Sequence, residues 1–262
     1  MTIDQLKWLA ILLIFASGPT GGLLPWCLKR NDRFDFWFSL GNSFAGGVFL
    51  GIGLIHMMSS ATEFFSEHAS AISYPVVYLL TGCAFMLFLL LERILVPHDF
   101  DEVQLLPNST RQTTAISAYL LLFMLSVHSF LAGFALGVET TVAGVVIILI
   151  ALLAHKAVAA FALGISFLRS VANFSQLLIY VLLFSLSTPL GIVAGILIDD
   201  FIASARHGVM EGIFYGIAAG TFLYIATLDI FSEEFLRPKC RKLKFLASIT
   251  GFALMAIVAI WL

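Results

Sequence analysis

The chain has 262 residues, of which 60% are hydrophobic and 11% are charged, and its formal net charge is −2. This composition excludes a soluble globular domain, and the connecting loops are too short to hold one. We therefore expect residues 1–262 to form a single all-α unit that lies in the lipid bilayer as an integral, multi-pass membrane protein.

Eight apolar runs of helix length are predicted to span the membrane. A helix needs roughly 17–25 residues to cross the hydrocarbon core, and the runs are close to this length. They cover residues 6–28, 37–62, 75–96, 116–138, 142–168, 175–198, 209–231 and 244–262.

The basic residues lie almost entirely in alternate loops. Eleven Lys and Arg residues fall in or beside the odd-numbered loops, whereas the even-numbered loops hold only Arg206. Because positively charged loops stay in the cytoplasm, we expect both termini on the extracellular or luminal side. The outer surface is then rich in acidic residues, which concentrate cations.

The second span carries a polar stripe in its outer half. His56, Ser60 and Glu63 are spaced i, i+4 and i+7, so they share one face of a helix. This stripe fits the lining of an outer vestibule, with His56 and Glu63 as its candidate residues. It fits an interfacial helix end equally well.

The fourth and fifth spans form an apolar hairpin with one histidine in each arm. His128 lies about 12 residues before the turn near 139–143, and His155 lies about 15 residues after it. At ~1.5 Å per residue, both imidazoles lie roughly 18–22 Å from the turn. An ionisable group at this depth costs on the order of 3 kcal/mol and usually marks a functional site. Neutral imidazole binds zinc and iron, so we predict a metal site between these spans. The alternative is that each histidine only hydrogen-bonds a neighbouring helix.

Two further charged residues accompany the histidines. Lys156 directly follows His155 and cannot bind a metal while it is protonated, so we expect it to tune the charge of the site. The alternative is an ion pair between Lys156 and a carboxylate such as Asp229. Glu139 lies eleven residues beyond His128, on nearly the same face and nearer the outside, and is a candidate vestibule residue.

The seventh span ends in acidic residues. Asp229 and Glu233 are four residues apart and share a helix face near the inner end. An acid within a span is a functional candidate, so we assign Asp229 to the metal path and Glu233 to its exit. The alternative is that Glu233 and Glu234 belong to a solvated helix end.

Motifs in four spans carry a family resemblance. The hairpin contains H-S-F-L-A-G-F-A-L-G from His128 and H-K-A-V-A-A-F-A-L-G from His155. With F-A-G-G-V-F-L-G in the second span and A-A-G-T-F-L-Y-I-A-T-L-D-I-F-S-E-E in the seventh, these motifs resemble the ZIP (Zrt- and Irt-like protein) family of divalent-metal transporters. The likeness covers essentially the whole chain, and the H-K motif resembles one branch of the family.

The resemblance implies transport of zinc or ferrous iron toward the cytoplasm, by movement of a bundle that contains the fourth and fifth spans past a scaffold. The metal site would use His128, Ser129 and His155, with Asp229 and His56 near the metal path. Family carboxylates one turn after each ligand are absent here, where Ala132 and Ala159 stand. Their absence favours an alternative function, a non-transporting membrane metal sensor or scaffold.

Other function classes find no support in the sequence. There is no H-E-x-x-H motif for a metalloprotease and no glycine-rich phosphate loop for a nucleotide-driven pump. We expect no enzymatic activity, no cofactor apart from the transported Zn²⁺ or Fe²⁺, and no nucleic-acid partner. The plasma membrane is favoured over an organelle membrane, and assembly as a homodimer stays open.

Overall fold

The computed structural model describes residues 2–29, 34–69, 74–95, 115–170, 173–198 and 204–260. These residues are almost entirely helical, and no strand occurs among them. The predicted all-α fold is therefore confirmed. The loop predicted between the third and fourth spans, residues 97–114, lies outside the described residues.

Ten α-helices are formed by the described part of the chain. They are α1 (Ile3–Leu28), α2 (Phe34–Gly51), α3 (Met58–His68), α4 (Val76–Leu89), α5 (Ala115–Val138), α6 (Val142–Ser170), α7 (Phe174–Ile198), α8 (Ser204–Tyr224), α9 (Ser232–Leu236) and α10 (Arg241–Val258).

Among the described residues, three π-helical segments interrupt or extend these helices. Ile52–Met57 joins α2 to α3, Leu90–Leu95 extends α4, and Ile225–Phe231 joins α8 to α9. Two of the candidate site residues, His56 and Asp229, lie on such segments. Local π-helical geometry inside α-helices is frequent at functional sites.

Seven helical stretches within the described residues are long and apolar enough to cross a membrane. They are Ile3–Leu28, Asp35–His68, Val76–Ile94, Ala118–Val138, Val142–Arg169, Phe174–Ile198 and Val209–Leu236. These stretches match the first seven predicted spans. The eighth predicted span corresponds to α10, an 18-residue helix with Arg241, Lys242 and Lys244 in its first turns.

The helices pack as two groups. In the first group α1 lies along α6 and α7, and α5 lies along α7; we call these four helices the histidine bundle. In the second group α2 lies along α10, and α8 packs against α3 and α4; we call α2–α4 and α8–α10 the partner bundle. The contacts of α2 with α6 and of α5 with α8 join the two bundles.

Glycines permit the closest helix crossings in both bundles. A methyl group at Gly133 of α5 would overlap the carbonyl group of Thr188 on α7. A methyl group at Gly47 of α2 would overlap the carbonyl group of Ser248 on α10. Small residues therefore bring backbones into contact, as is typical of helix packing in membranes.

Candidate metal centre

The two histidines of the hairpin lie next to each other in the structure. The ring centroids of His128 on α5 and His155 on α6 are 5.9 Å apart, with the ring planes inclined by 49°. The two residues are 6% and 3% exposed, respectively. The helical hairpin thus brings together two buried imidazoles that are 27 positions apart in the sequence.

Three ring nitrogens of this pair have no hydrogen-bond partner within the described residues. They are Nδ1 and Nε2 of His128 and Nδ1 of His155. A buried polar atom left unpaired costs about 1–3 kcal/mol, so such atoms are rare in folded proteins unless they have a function. The alternative in which each histidine only hydrogen-bonds a neighbouring helix therefore does not describe His128.

Phe222 of α8 covers the histidine pair from the partner bundle. Its ring centroid lies 4.4 Å from that of His128 and 6.3 Å from that of His155, in edge-to-face geometry with both. Sequence reasoning missed this residue. The sequence carried no signal for this contact, because the π-helical segment Ile225–Phe231 breaks the i, i+7 spacing that would otherwise relate Phe222 to Asp229.

The protein supplies few ligands beyond the two imidazoles. Ser129 is buried next to His128, and Ala132 and Ala159 stand buried one turn after His128 and His155. Among the residues described, no group of three His, Cys, Asp or Glu side chains is placed to hold a metal ion. Any ion at the histidine pair would complete its coordination with water or with hydroxyl groups.

Lys156 has its own buried partners on α7. Its Nζ donates a hydrogen bond to Thr188 Oγ1 at 2.6 Å and to the Phe184 carbonyl oxygen at 3.3 Å. The same Nζ lies 4.3 Å from the centroid of the Phe184 ring. The alternative of an ion pair between Lys156 and Asp229 is wrong, because neutral oxygens and an aromatic ring surround the ammonium group.

His56 lies in the partner bundle, at the contact with α8. Its ring centroid is 6.0 Å from that of Tyr215. It is also close enough to interact electrostatically with His128 and His155. The structure therefore places His56 near the histidine pair but on the other bundle.

The two candidate vestibule carboxylates have different surroundings. Glu63 is exposed on α3. Glu139 lies in the turn between α5 and α6, where its Oε1 accepts hydrogen bonds from the backbone N–H and the hydroxyl group of Thr141, both at 2.8 Å. Thr141 in turn caps the start of α6, because its hydroxyl group accepts a hydrogen bond from the Gly144 N–H at 3.0 Å. Glu139 therefore has a structural role in the turn.

Asp229 lies at a separate cavity between the bundles. The cavity has a volume of about 20 Å³, enough for one water molecule, and its polar lining comes from Asn42, Ser166, Arg169, Asp229 and Glu233. Leu121 also lines it. Because Leu121 is seven residues before His128 on α5, the cavity lies about 10 Å along the helix from the histidine pair. Asp229 is therefore not a direct ligand partner of His128 and His155 in this arrangement.

Arg169 of the histidine bundle joins two carboxylates of the partner bundle beside this cavity. Its Nη1 lies 2.8 Å from Glu233 Oε1, and its Nη2 lies 3.1 Å from Glu234 Oε1. Arg237 also contacts Glu233 Oε1, at 2.8 Å. The two ion pairs of Arg169 link α6 to α9, at the end of the bundle that the charge bias assigns to the cytoplasm.

Glu234 is fully buried within the same network. It accepts hydrogen bonds from Ser39 and, at 3.0 Å, from Asn42 Nδ2, and Lys244 Nζ lies 3.4 Å from its Oε2. The alternative of a solvated helix end is therefore wrong for Glu234. Lys244, one of the eleven basic residues in or beside the odd-numbered loops, is also buried. The small residues Ser248 and Gly251, at i+4 and i+7, were the signal for its buried face.

Comparison with known proteins shows similarity over nearly the whole chain. The family described as "ZIP Zinc transporter" matches residues 4–100 and 97–259. The chain is 30% identical to Zinc transporter 11 of Arabidopsis thaliana, over 99% of this chain and 86% of that protein. It is 29% identical to Zinc transporter 1 of Oryza sativa subsp. japonica, over 97% and 82% of the two chains. It is also 29% identical to Zinc transporter ZIP1 of Homo sapiens, over 96% and 89% of the two chains.

Proposed function

Because the chain belongs to the ZIP zinc transporter family and is a multi-pass membrane protein that transports divalent metal ions, we propose that it carries Zn²⁺ through a site between His128 and His155. The observation that carries this proposal is that both ring nitrogens of His128 and Nδ1 of His155 are buried without a hydrogen-bond partner among the described residues. The family is one of membrane transporters, and we ascribe no enzymatic activity to the chain.

The spacing of the two rings suits a single shared ion. With Zn–N bonds of about 2.1 Å, the metal lies about 3.2 Å from each ring centroid, so a tetrahedral site places the two centroids about 5.2 Å apart. The observed separation of 5.9 Å is slightly wider, so the rings would approach each other by less than about 1 Å to share one ion. Small ring rotations would point one nitrogen of each imidazole at the ion, and the Ser129 hydroxyl group and water would complete the coordination.

Zinc is favoured over ferrous iron by the relatives, although imidazole binds both metals. The three relatives described above are zinc transporters by name, which also favours transport over a non-transporting sensor. The absence of carboxylates at Ala132 and Ala159 then means a weaker site. A weak site suits a transported ion, which must also leave.

Lys156 limits the charge that the site can accept. Its ammonium group is buried beside the histidine pair and faces Thr188 and Phe184 on α7. We propose that a positive charge on Lys156 takes the place of a second metal ion and weakens binding of the first. One ion is then bound at a time.

The path of the ion leads from the acidic outer side to the Arg169 network. Glu63 and His56 lie before the histidine pair, and Asp229 and Glu233 lie beyond it. We propose uptake toward the cytoplasm across the plasma membrane, with residues 1–262 acting as a single transport unit. Release requires the Arg169 and Phe222 contacts between the bundles to rearrange, so we propose that the histidine bundle moves against the partner bundle.

Uptake by the purified protein in lipid vesicles tests this function. Vesicles that contain the protein should accumulate Zn²⁺ faster than protein-free vesicles, and a parallel assay with Fe²⁺ ranks the two metals. A protein that binds Zn²⁺ but gives no uptake above protein-free vesicles would be a sensor, and the transport proposal would be wrong.

A further inference from the structure

An apolar groove lies on the surface of the partner bundle between α2 and α10. It has a volume of about 400 Å³, within the range of ligand-binding pockets, and its lining includes Trp37, Leu40 and Phe44 of α2 and Leu243, Leu246 and Thr250 of α10. Trp37, Leu243 and Leu246 are about half exposed. None of its lining residues belongs to the histidine pair or to the metal path described above.

The groove follows two parallel helices from their first turns. Gly47 faces Ser248 and Gly51 faces Met255, so residue numbers rise together along both helices. On each helix the lining residues span seven positions, which corresponds to about 10 Å. The groove therefore begins where α2 and α10 begin and extends about two turns into the membrane.

Three exposed cations stand at the end where the groove begins. Lys239, Arg241 and Lys242 directly precede Leu243, and none of them forms an ion pair within the described residues. Trp37 lies at the same end, as is typical of aromatic residues at the membrane–water interface. An apolar slot with unpaired cations at its mouth matches a phospholipid that has an acyl chain and an anionic headgroup.

We propose that this groove binds an anionic phospholipid, with an acyl chain between α2 and α10 and the headgroup phosphate against Arg241 and Lys242. Basic residues beside transmembrane helices attract anionic lipids by electrostatic interaction. A second copy of the chain is disfavoured as the occupant, because a two-fold interface at this surface would bring the same three cations of both copies together.

The floor of the groove contacts the histidine bundle. A methyl group at Gly41 would lie 2.6 Å from a ring carbon of Phe161 on α6. The proposed lipid therefore lies over the junction of the two bundles.

Fluorescence quenching tests the lipid site on the full-length protein. Replacing Trp8, Trp26 and Trp261 with Phe leaves Trp37 as the single reporter. In phosphatidylcholine vesicles, brominated phosphatidylglycerol should quench Trp37 about fivefold more effectively than brominated phosphatidylcholine at the same mole fraction. The double variant Arg241→Gln, Lys242→Gln should lose this preference. Lys29→Gln, which neutralises an exposed cation on the histidine bundle, should keep it.

Three outcomes would overturn the proposal. The first is equal quenching of Trp37 by the two lipids. The second is a preference for phosphatidylglycerol that persists in the double variant Arg241→Gln, Lys242→Gln. The third is weak quenching by both lipids together with cross-linking of Thr250→Cys between two copies of the protein. The last outcome would make the groove an interface between copies. Ala247→Phe narrows the groove and should reduce quenching by both lipids. This result would show that the acyl chain enters between α2 and α10.

Discussion

Buried polar side chains in the histidine bundle differ in whether they have partners. Lys156 donates to Thr188 Oγ1 and Lys7 donates to the Gly137 carbonyl oxygen, both at 2.6 Å. His128 has two ring nitrogens and no partner for either among the described residues. Satisfied groups stabilise the bundle, whereas the free nitrogens of His128 are available to an ion.

Lys156→Gln should raise the affinity for Zn²⁺ on the order of tenfold, because it removes a positive charge beside the site. The glutamine can still donate a hydrogen bond toward Thr188, so the fold should be kept. Lys156→Asp should allow a second ion to bind. Isothermal titration calorimetry on the purified protein measures both the affinity and the stoichiometry.

Lys7→Gln is the matched control, since it removes a buried ammonium group about 13 Å along α5 from His128. It should leave the affinity unchanged. If Lys156→Gln and Lys156→Asp both bind Zn²⁺ as the wild type does, Lys156 does not tune the site.

At the scale of helices, the apolar runs predicted the elements well but not their packing partners. The boundaries of α5 and α6 agree with the predicted fourth and fifth spans within two residues. The hairpin did not indicate the main packing partners of its two arms: α5 lies along α7, and α6 lies along α1. The spacing of glycines indicates which face of a helix can pack closely, but it does not identify the helix that packs against that face.

The Arg169 network should contribute more to stability than its outermost ion pair. Arg169→Gln leaves the buried carboxylate of Glu234 with less compensation, and we expect a loss of about 2–3 kcal/mol in the free energy of unfolding. Arg237→Gln removes a more exposed i, i+4 pair with Glu233 and should cost below about 1 kcal/mol. Thermal unfolding in detergent compares the two variants.

The double variant Arg169→Gln, Glu233→Gln checks the electrostatic origin of this loss. It should recover part of the stability, because it removes a carboxylate that has lost one of its two arginine partners. Equal losses for Arg169→Gln and Arg237→Gln would show that the contact between bundles is no stronger than a surface ion pair.

At the scale of the whole molecule, the hydropathy predicted a membrane protein and the motifs indicated its family. Neither predicted the division into two bundles. That division depends on contacts between residues far apart in the chain, such as Arg169 with Glu234 and Phe222 with His128. Charged residues near span ends resemble surface anchors in the sequence. Only the packing of α2, α9 and α10 shows that Glu234 and Lys244 are buried.

The orientation in the membrane remains a prediction that native cysteines can test. In intact cells that express the Cys83→Ser variant, Cys27 and Cys240 should be protected from a membrane-impermeant thiol reagent. Both lie beside basic loops, which are predicted to face the cytoplasm. Glu67→Cys in the same background should react. Labelling of Cys27 and Cys240 from outside would show that the orientation, and with it the direction of transport, is opposite to the one predicted.

The histidine pair is the centre of the account, and Zn²⁺ uptake into vesicles by single histidine variants tests it most directly. His128→Ala and His155→Ala should each lower uptake by about tenfold or more, and the double variant should be little worse, since residues that act as a unit are not additive. His68→Ala, which removes an exposed histidine on α3, should transport normally. Full uptake by His128→Ala or His155→Ala would contradict a shared ion site.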